Sequence, residues 1–343
     1  YIMKKYFLAI SILIISSLAT KAQIGGNAIY SVLSLHPSAK TAALGLDFLP
    51  CFSDDITAII NNPSTLRKEN HNDIGITYTT LFSGINQASL AYSHTLDKIG
   101  SLALGVQYLN YGSFDMTEEN GDVVGKFAAA DYVFTLSWGK MLDSNVYIGA
   151  NLKPVFSQYE SYNSFALAID LAASYQSSDR TWALSLMARN MGKQIKKLAN
   201  EDFSLPFDLQ LAASKKLAHA PLTIYGAITN LHKWNLREDD PLNPRDEIDL
   251  NGEVTKENKF VGILDNAFRH LQIGVEFAPS KYFYIAAGYS WKQNREMYLK
   301  DAFSLAGLSY GIGINYSRFR LCYSRNEYHR YGAPNYISLI VQL

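Results

Sequence analysis

After its first 22 residues the chain has no long apolar run, and its mean hydropathy is only −0.06, which excludes membrane-spanning helices from that region. Net charge is missing too: 31 Lys and Arg balance 31 Asp and Glu, leaving no basic excess for a nucleic-acid partner. Cysteine is scarce. Cys51 and Cys322 show no metal-ligand spacing and read as packed thiols, or, in an exported protein, as a disulfide. His36, His71, His94, His219, His232, His270 and His329 contain no H-x-x-x-H pair, so neither a zinc site nor any cofactor is expected.

What the sequence does contain is aromatic residues and alternation. Aromatics make up 13% of the chain and 23 residues are Tyr, which suits a protein with wet and apolar boundaries. Near the start, Lys4 and Lys5 precede the apolar run "YFLAISILIISSLA", followed by "TKAQ". The apolar core is shorter than the ~20 residues a spanning helix needs, and Thr20 and Ala22 are small. Residues 1–22 are therefore expected to be a secretory signal peptide.

From Asp73 onward, segments of ~10 residues alternate large apolar with small or polar side chains and are separated by turns. Tyr132, Phe134, Leu136 and Trp138 alternate with Val133, Thr135, Ser137 and Gly139. Fourteen such segments lie near 72–81, 85–95, 99–110, 129–139, 144–158, 162–175, 180–190, 207–217, 221–232, 268–277, 281–291, 304–316, 318–326 and 334–343. Most alternate connections are short, such as "LDKIG" and "APSKY", whereas the others include "GSFDMTEENGDVVGKF" and residues 233–267. A soluble β-sandwich or propeller would not need its loop mass at one end. The pattern predicts a 14-stranded antiparallel outer-membrane β-barrel of a Gram-negative bacterium, with both termini periplasmic. The final "NYISLIVQL" predicts a strand paired on both edges, in which Ile340 breaks the alternation.

Fourteen strands enclose a lumen too wide for wall side chains alone to fill. Gln107, Asp170, Asp208, Gln272, Glu276 and Asn315 are expected to face it, because lipid would not accept them cheaply. Tyr108, Trp138, Trp182, Trp291 and Tyr316 lie near segment ends, where aromatic girdles sit. Residues 23–71 differ in character from the barrel at 72–343 and are expected to form a partly helical plug, or hatch. Ile56, Ile59 and Ile60 suggest a short helix there, capped by Asp54 or Asp55 and halted at Asn62-Pro63.

The stretch "IGGNAIYSVLSLHPSAKTAALG" followed by "DDITAIINNPSTL" resembles the N-terminal signature of the PorQ family, outer-membrane components of the type IX secretion system. The family's wider relatives are long-chain fatty-acid transporter barrels, PorV among them. The matching positions are Gly25, Gly26, Tyr30, Ser38, Ala39, Lys40, Ala43, Leu44, Gly45, Asp54, Asn62, Pro63 and Leu66; Leu46 and Ser64 depart from the usual Gly and Ala. The resemblance implies a non-enzymatic attachment scaffold. Its partners would be outer-membrane lipid and a PorZ-like surface protein, with PorU-like and PorV-like proteins in the same complex and lipopolysaccharide as a further contact. The alternative from the same fold family is a transporter of long-chain fatty acids or other hydrophobic small molecules.

Catalytic signatures are weak. "SWGK", Ser137 to Lys140, fits S-x-x-K but is read as a strand end that turns the two side chains to opposite faces, without companion motifs. Asp54 and Asp55 read as caps rather than an acid–base pair, and "REDDPLNPRDEID" lacks the spacing of a calcium loop. Partner binding is expected in the largest loop and its flanks, at Trp234, Arg237, Arg245, Phe260 and Phe268, since aromatic and Arg side chains favour hot spots.

Overall fold

The computed structural model describes residues 29–237, 247–248, 254–255, 258–297, 304–329 and 332–343. The signal segment, Gly25, Gly26 and Arg245 lie outside the described residues.

Alternation along the chain produces strands, and fourteen of them close into a barrel. They are β1 (Asp73–Thr80), β2 (Asn86–Leu96), β3 (Gly100–Thr117), β4 (Val123–Asp143), β5 (Val146–Tyr159), β6 (Tyr162–Gln176), β7 (Trp182–Lys196), β8 (Asp208–Lys216) and β9 (Leu222–Ile228). After a two-residue ladder of β10 (Glu247–Ile248) with β11 (Val254–Thr255) come β12 (Leu271–Ser280), β13 (Phe283–Ser290), β14 (Leu308–Tyr316), β15 (Phe319–Asn326) and β16 (Asn335–Gln342). Each barrel strand pairs antiparallel with the next, β9 pairs with β12, and β16 closes the ring on β1 from Asp73 opposite Gln342 to Thr80 opposite Asn335. The terminal strand is thus paired on both edges. Ile337 and Leu339 face outward, Tyr336 and Ser338 inward, and Ile340 packs in the lumen in one cluster with Ile56 and Ile59. Its apolar character at a lumenal position follows from that contact.

The lumen is filled from Ile29 to Asn72. The segment contains helix α1 (Ala39–Leu44), helix α2 (Ile56–Ile59), and 3-10 turns at Ser31–Ser34, Pro63–Thr65 and Lys68–Asn70. Ser38 caps α1 by accepting the Lys40 N–H at 3.1 Å, and Gly45 ends it in the left-handed region at φ +62°. Asp55 caps α2, accepting the N–H groups of Thr57 at 2.9 Å and Ala58 at 3.3 Å. The Ser38 hydroxyl donates to the other Asp55 oxygen at 2.6 Å, so one carboxylate joins both helix starts.

The wall accepts this plug because its inward side chains are small. A Cβ at Gly288 would overlap the Leu44 carbonyl, and one at Gly149 would overlap the backbone joining Pro63 to Ser64. Wall and plug therefore meet backbone to backbone. Polar bonds fix the register: the Ala39 N–H donates to Ser338 Oγ at 2.9 Å, Asn151 Nδ2 donates to the Ile60 carbonyl at 2.7 Å, and Lys40 Nζ lies 3.0 Å from Glu276 Oε2. Burial works against the Lys40 ammonium, yet the Glu276 carboxylate outweighs it and holds the lysine above its ordinary range.

The structure departs from the sequence pattern in three places. Much of the stretch expected as a loop at 112–127 is strand: after a bulge at Gly112, β3 and β4 stay paired and Phe114 stacks on Phe127 at 5.4 Å. The segment expected to begin at 268 starts as strand only at Leu271, because Lys259–Arg269 is helix α3, and Trp291 opens a further helix, α4 (Trp291–Glu296). "SWGK" lies inside β4 rather than at its end, with Ser137 in the lumen and Lys140 exposed. Cys51 and Cys322 are both free thiols.

The backbone contact at Gly288 predicts that Gly288→Ala destabilises the folded barrel by about 1–3 kcal/mol. Gly226→Ala, whose added methyl meets nothing within 4 Å, should leave stability nearly unchanged. Urea unfolding in detergent micelles measures both; equal effects would contradict close plug seating.

Candidate functional site

Above the plug, toward the end that carries the long loops, lies a chamber of about 310 Å³. Leu33, Ser34, His36, Gly45 and Asp47 form its floor; Arg189 and Asn190 of β7, Asp208 of β8 and Gln272 of β12 form its wall. Phe207, Tyr328 and the α4 residues Lys292, Gln293 and Glu296 rim it. The sharp end of α1 at Gly45 is what turns the chain so that Asp47 meets the wall.

Asp47 is the hub. Its carboxylate accepts from Gln210 Nε2 at 2.7 Å and from Gln272 Nε2 at 3.4 Å, and lies 3.9 Å from Arg189 Nη1. Its own N–H donates to Gln272 Oε1 at 3.3 Å. Arg189 also donates to the Leu33 carbonyl at 3.3 Å, so one guanidinium touches two parts of the plug. Burial would raise the Asp47 carboxyl, but Arg189, then His36 and the two glutamine amides, outweigh it and hold the carboxyl below the ordinary carboxylate range. Burial pushes His36 down, with Arg189 adding to the effect and Asp47 opposing it, so this imidazole is neutral at pH 7. Across the chamber Asp208 accepts the Asn230 N–H at 2.6 Å and lies 3.7 Å from His232 Nδ1.

A second polar layer supports the wall. Asn190 takes φ +55° beside a register shift between β6 and β7, and its N–H donates to Asp170 at 2.8 Å. Lys153 pairs with Asp170 at 2.7 Å and donates to Asn190 Oδ1 at 2.8 Å. The buried charge is thereby matched and hydrogen-bonded, as a low-dielectric site requires. Such a lining can hold a small solute through hydrogen bonds and charge. Among the described residues no group of three or more His, Cys, Asp or Glu could hold a metal ion.

The predicted residues fall in two places. Tyr30, Gly45, Asn62 and Pro63 build the plug: the Tyr30 hydroxyl meets Ser164 Oγ at 2.5 Å, and Asn62 Nδ2 donates to the Leu49 carbonyl at 2.8 Å. Trp234, Phe260 and Phe268 are exposed on the long-loop side, away from the chamber. Arg237, expected at a partner interface, has its Nε 3.2 Å from Asp265. Asp208 and Gln272, read as lumenal, do line the chamber, whereas Asp47, His36 and Arg189 had not been singled out. Arg189 carried a usable signal: it is a charge at an inward position of an otherwise apolar and small-residue strand, "ALSLMARN".

No protein-family model matches the chain, and no curated protein is similar to it in sequence. Among solved structures it is similar to the Pseudomonas putida toluene transporter TodX, with a TM-score of 0.52 at 13% identity, over 90% of this chain and 98% of that one. It is also similar to the deltaS2S3 mutant of the TodX monoaromatic hydrocarbon channel, with a TM-score of 0.50 at 14% identity, over 88% and 97% of the two chains. At these identities the likeness establishes the fold alone, a β-barrel of the outer-membrane type.

Because the Asp47 carboxyl is held low, it contributes stability that is present above about pH 4 and lost as the pH falls through its lowered value. Protease nicking of the plug should therefore rise in two steps as the pH falls: first below about pH 6.5, where an unfolded His36 gains a proton that the buried imidazole resists, and again below about pH 4 as Asp47 is protonated. Asp47→Asn should loosen the plug at neutral pH by about 1–3 kcal/mol and flatten the acid dependence. An unchanged acid profile in the variant would remove Asp47 from its place as hub.

Proposed function

We propose that the chain is an outer-membrane barrel of the uptake-channel type, short turns in the periplasm and long loops outside, whose chamber first binds a small solute carrying polar groups. The observation that carries this reading is the plug-floored chamber on the long-loop side, within a fold similar to that of a toluene transporter. The lining guides the choice of solute. An alkyl chain placed there would desolvate Asp47, Asp208, Arg189 and Gln272 without replacing their bonds to water, at a cost of several kcal/mol. A solute with hydroxyl, amide or charged groups would restore those bonds. The polar, charge-matched lining favours binding and passage of such a solute.

A second reading has one observation in its favour. The plug meets the wall backbone to backbone at Gly288 and Gly149, and a lumen sealed so closely suits a scaffold as well as a channel. With the sequence resemblance, that supports a surface-attachment role in type IX secretion. A PorZ-like protein would be held on the long-loop face, with PorU-like and PorV-like proteins and lipopolysaccharide alongside.

Purified protein reconstituted in phospholipid vesicles distinguishes the readings. Uptake predicts faster entry of small sugars or amino acids than in empty vesicles, reduced severalfold by Arg189→Ala. Exclusion of every solute, together with co-purification of a large surface β-protein from native outer membranes, would overturn uptake and favour attachment.

A further inference from the structure

The loop helix α3 is apolar on the side it shows and polar on the side it hides. Phe260, Val261, Ile263, Leu264 and Phe268 are 42–66% exposed. At 3.6 residues per turn they fall, with Ala267, on one continuous arc, and the opposite arc holds Gly262, Asp265, Asn266 and Arg269. That polar arc is tied to the barrel rim. Asp265 accepts hydrogen bonds from Arg269 Nε at 2.9 Å and the Trp291 indole N–H at 3.1 Å, and is ion-paired with Arg237 Nε and Arg295 Nε, each at 3.2 Å. Asn266 accepts the Leu236 N–H at 2.9 Å and donates to the Trp234 carbonyl at 2.6 Å. The orientation is therefore fixed by hydrogen bonds.

A surface helix over water normally places its apolar stripe on the core, so this arrangement needs an apolar medium outside. The surroundings identify that medium. Phe268 packs on Trp291 at 5.4 Å between ring centroids, and Trp291 packs on Tyr289 at 6.2 Å. Tyr289 has the outward parity of β13, in line with the exposed Ile285, and Ile273 and Ile228 point outward from the paired strands β12 and β9. The helix face thus continues the barrel's outward apolar band through three aromatic rings. At eleven residues, about 16 Å, α3 cannot cross a bilayer.

We infer that α3 is an interfacial helix: it binds the lipid surface of the leaflet on the long-loop side, with its apolar arc about 5–10 Å into the boundary between headgroups and acyl chains. The occupant is lipid because the face is continuous with the wall that lipid already covers. Trp234, Phe260 and Phe268 then serve membrane seating, and Asp265 is the clamp that keeps the helix turned outward.

The test uses full-length protein in phospholipid vesicles, with Cys51 and Cys322 replaced by Ala and a nitroxide label at Ile263→Cys or Leu264→Cys. Retained β-sheet circular dichroism identifies folded samples. Glu119→Cys, in the exposed connection between β3 and β4, is the aqueous reference. Dissolved oxygen should relax the labels at 263 and 264 more strongly than a water-soluble nickel chelate does, and the order should reverse at 119. If 263 and 264 behave like 119, the face meets water and the inference fails. If neither reagent reaches them, a second copy or another part of the chain covers the face, and the inference fails equally.

Discussion

The pairing of β16 with β1 is the constraint on which the rest depends. A sheet in hydrocarbon has no water to satisfy an open edge, so every backbone N–H and C=O must find its partner within the ring. The ladder from Asp73–Gln342 to Thr80–Asn335 provides this closure. It also fixes the parity of every strand, and so which side chains meet lipid and which meet the lumen. Most large apolar residues go outward, leaving an interior rich in Gly, Ala, Ser and Thr, with a few buried charges and tyrosines, that is too wide to collapse.

That width is what the plug resolves. Small lumenal residues allow α1 and the Pro63 turn to come within backbone contact of the wall, while polar bonds from Ser338, Asn151 and Glu276 set the register. The plug fills the short-turn half and, through Ile29–Leu35, the long-loop half beside β3–β6, leaving the chamber on the long-loop side between β7 and β13, where its turn at Gly45 presents Asp47 to Arg189, Gln210 and Gln272. Outside the same rim, Asp265 organises the arginines that orient α3. One carboxylate faces the solute space and the other fixes a helix on the outer rim.

The barrel was legible because period-two alternation survives in every spanning segment, and Asp55, Asn62 and Pro63 announced the plug's turns. The extension of β3 and β4 was missed because a bulge at Gly112 interrupts the alternation before the strands resume. Helix α3 lay within a stretch read as loop, although Phe260, Leu264 and Phe268 recur at helical spacing. The chamber was only half visible. Asp208 and Gln272 stood out as charges or amides on inward faces, but Asp47 belongs to the plug and Arg189 to a strand far along the chain. Their meeting is set by closure and by the end of α1, which no local pattern encodes.

The central claim, a lumen closed by a plug seated on wall glycines, is tested most directly by conductance across a planar bilayer. The seated plug predicts at most brief, infrequent current steps through the intact protein, as it yields to let a bound solute pass, and a large, steady current after removal of residues 23–71. A steady current through the intact protein equal to that of the truncated one would mean that the plug does not seal the barrel, and would contradict the account.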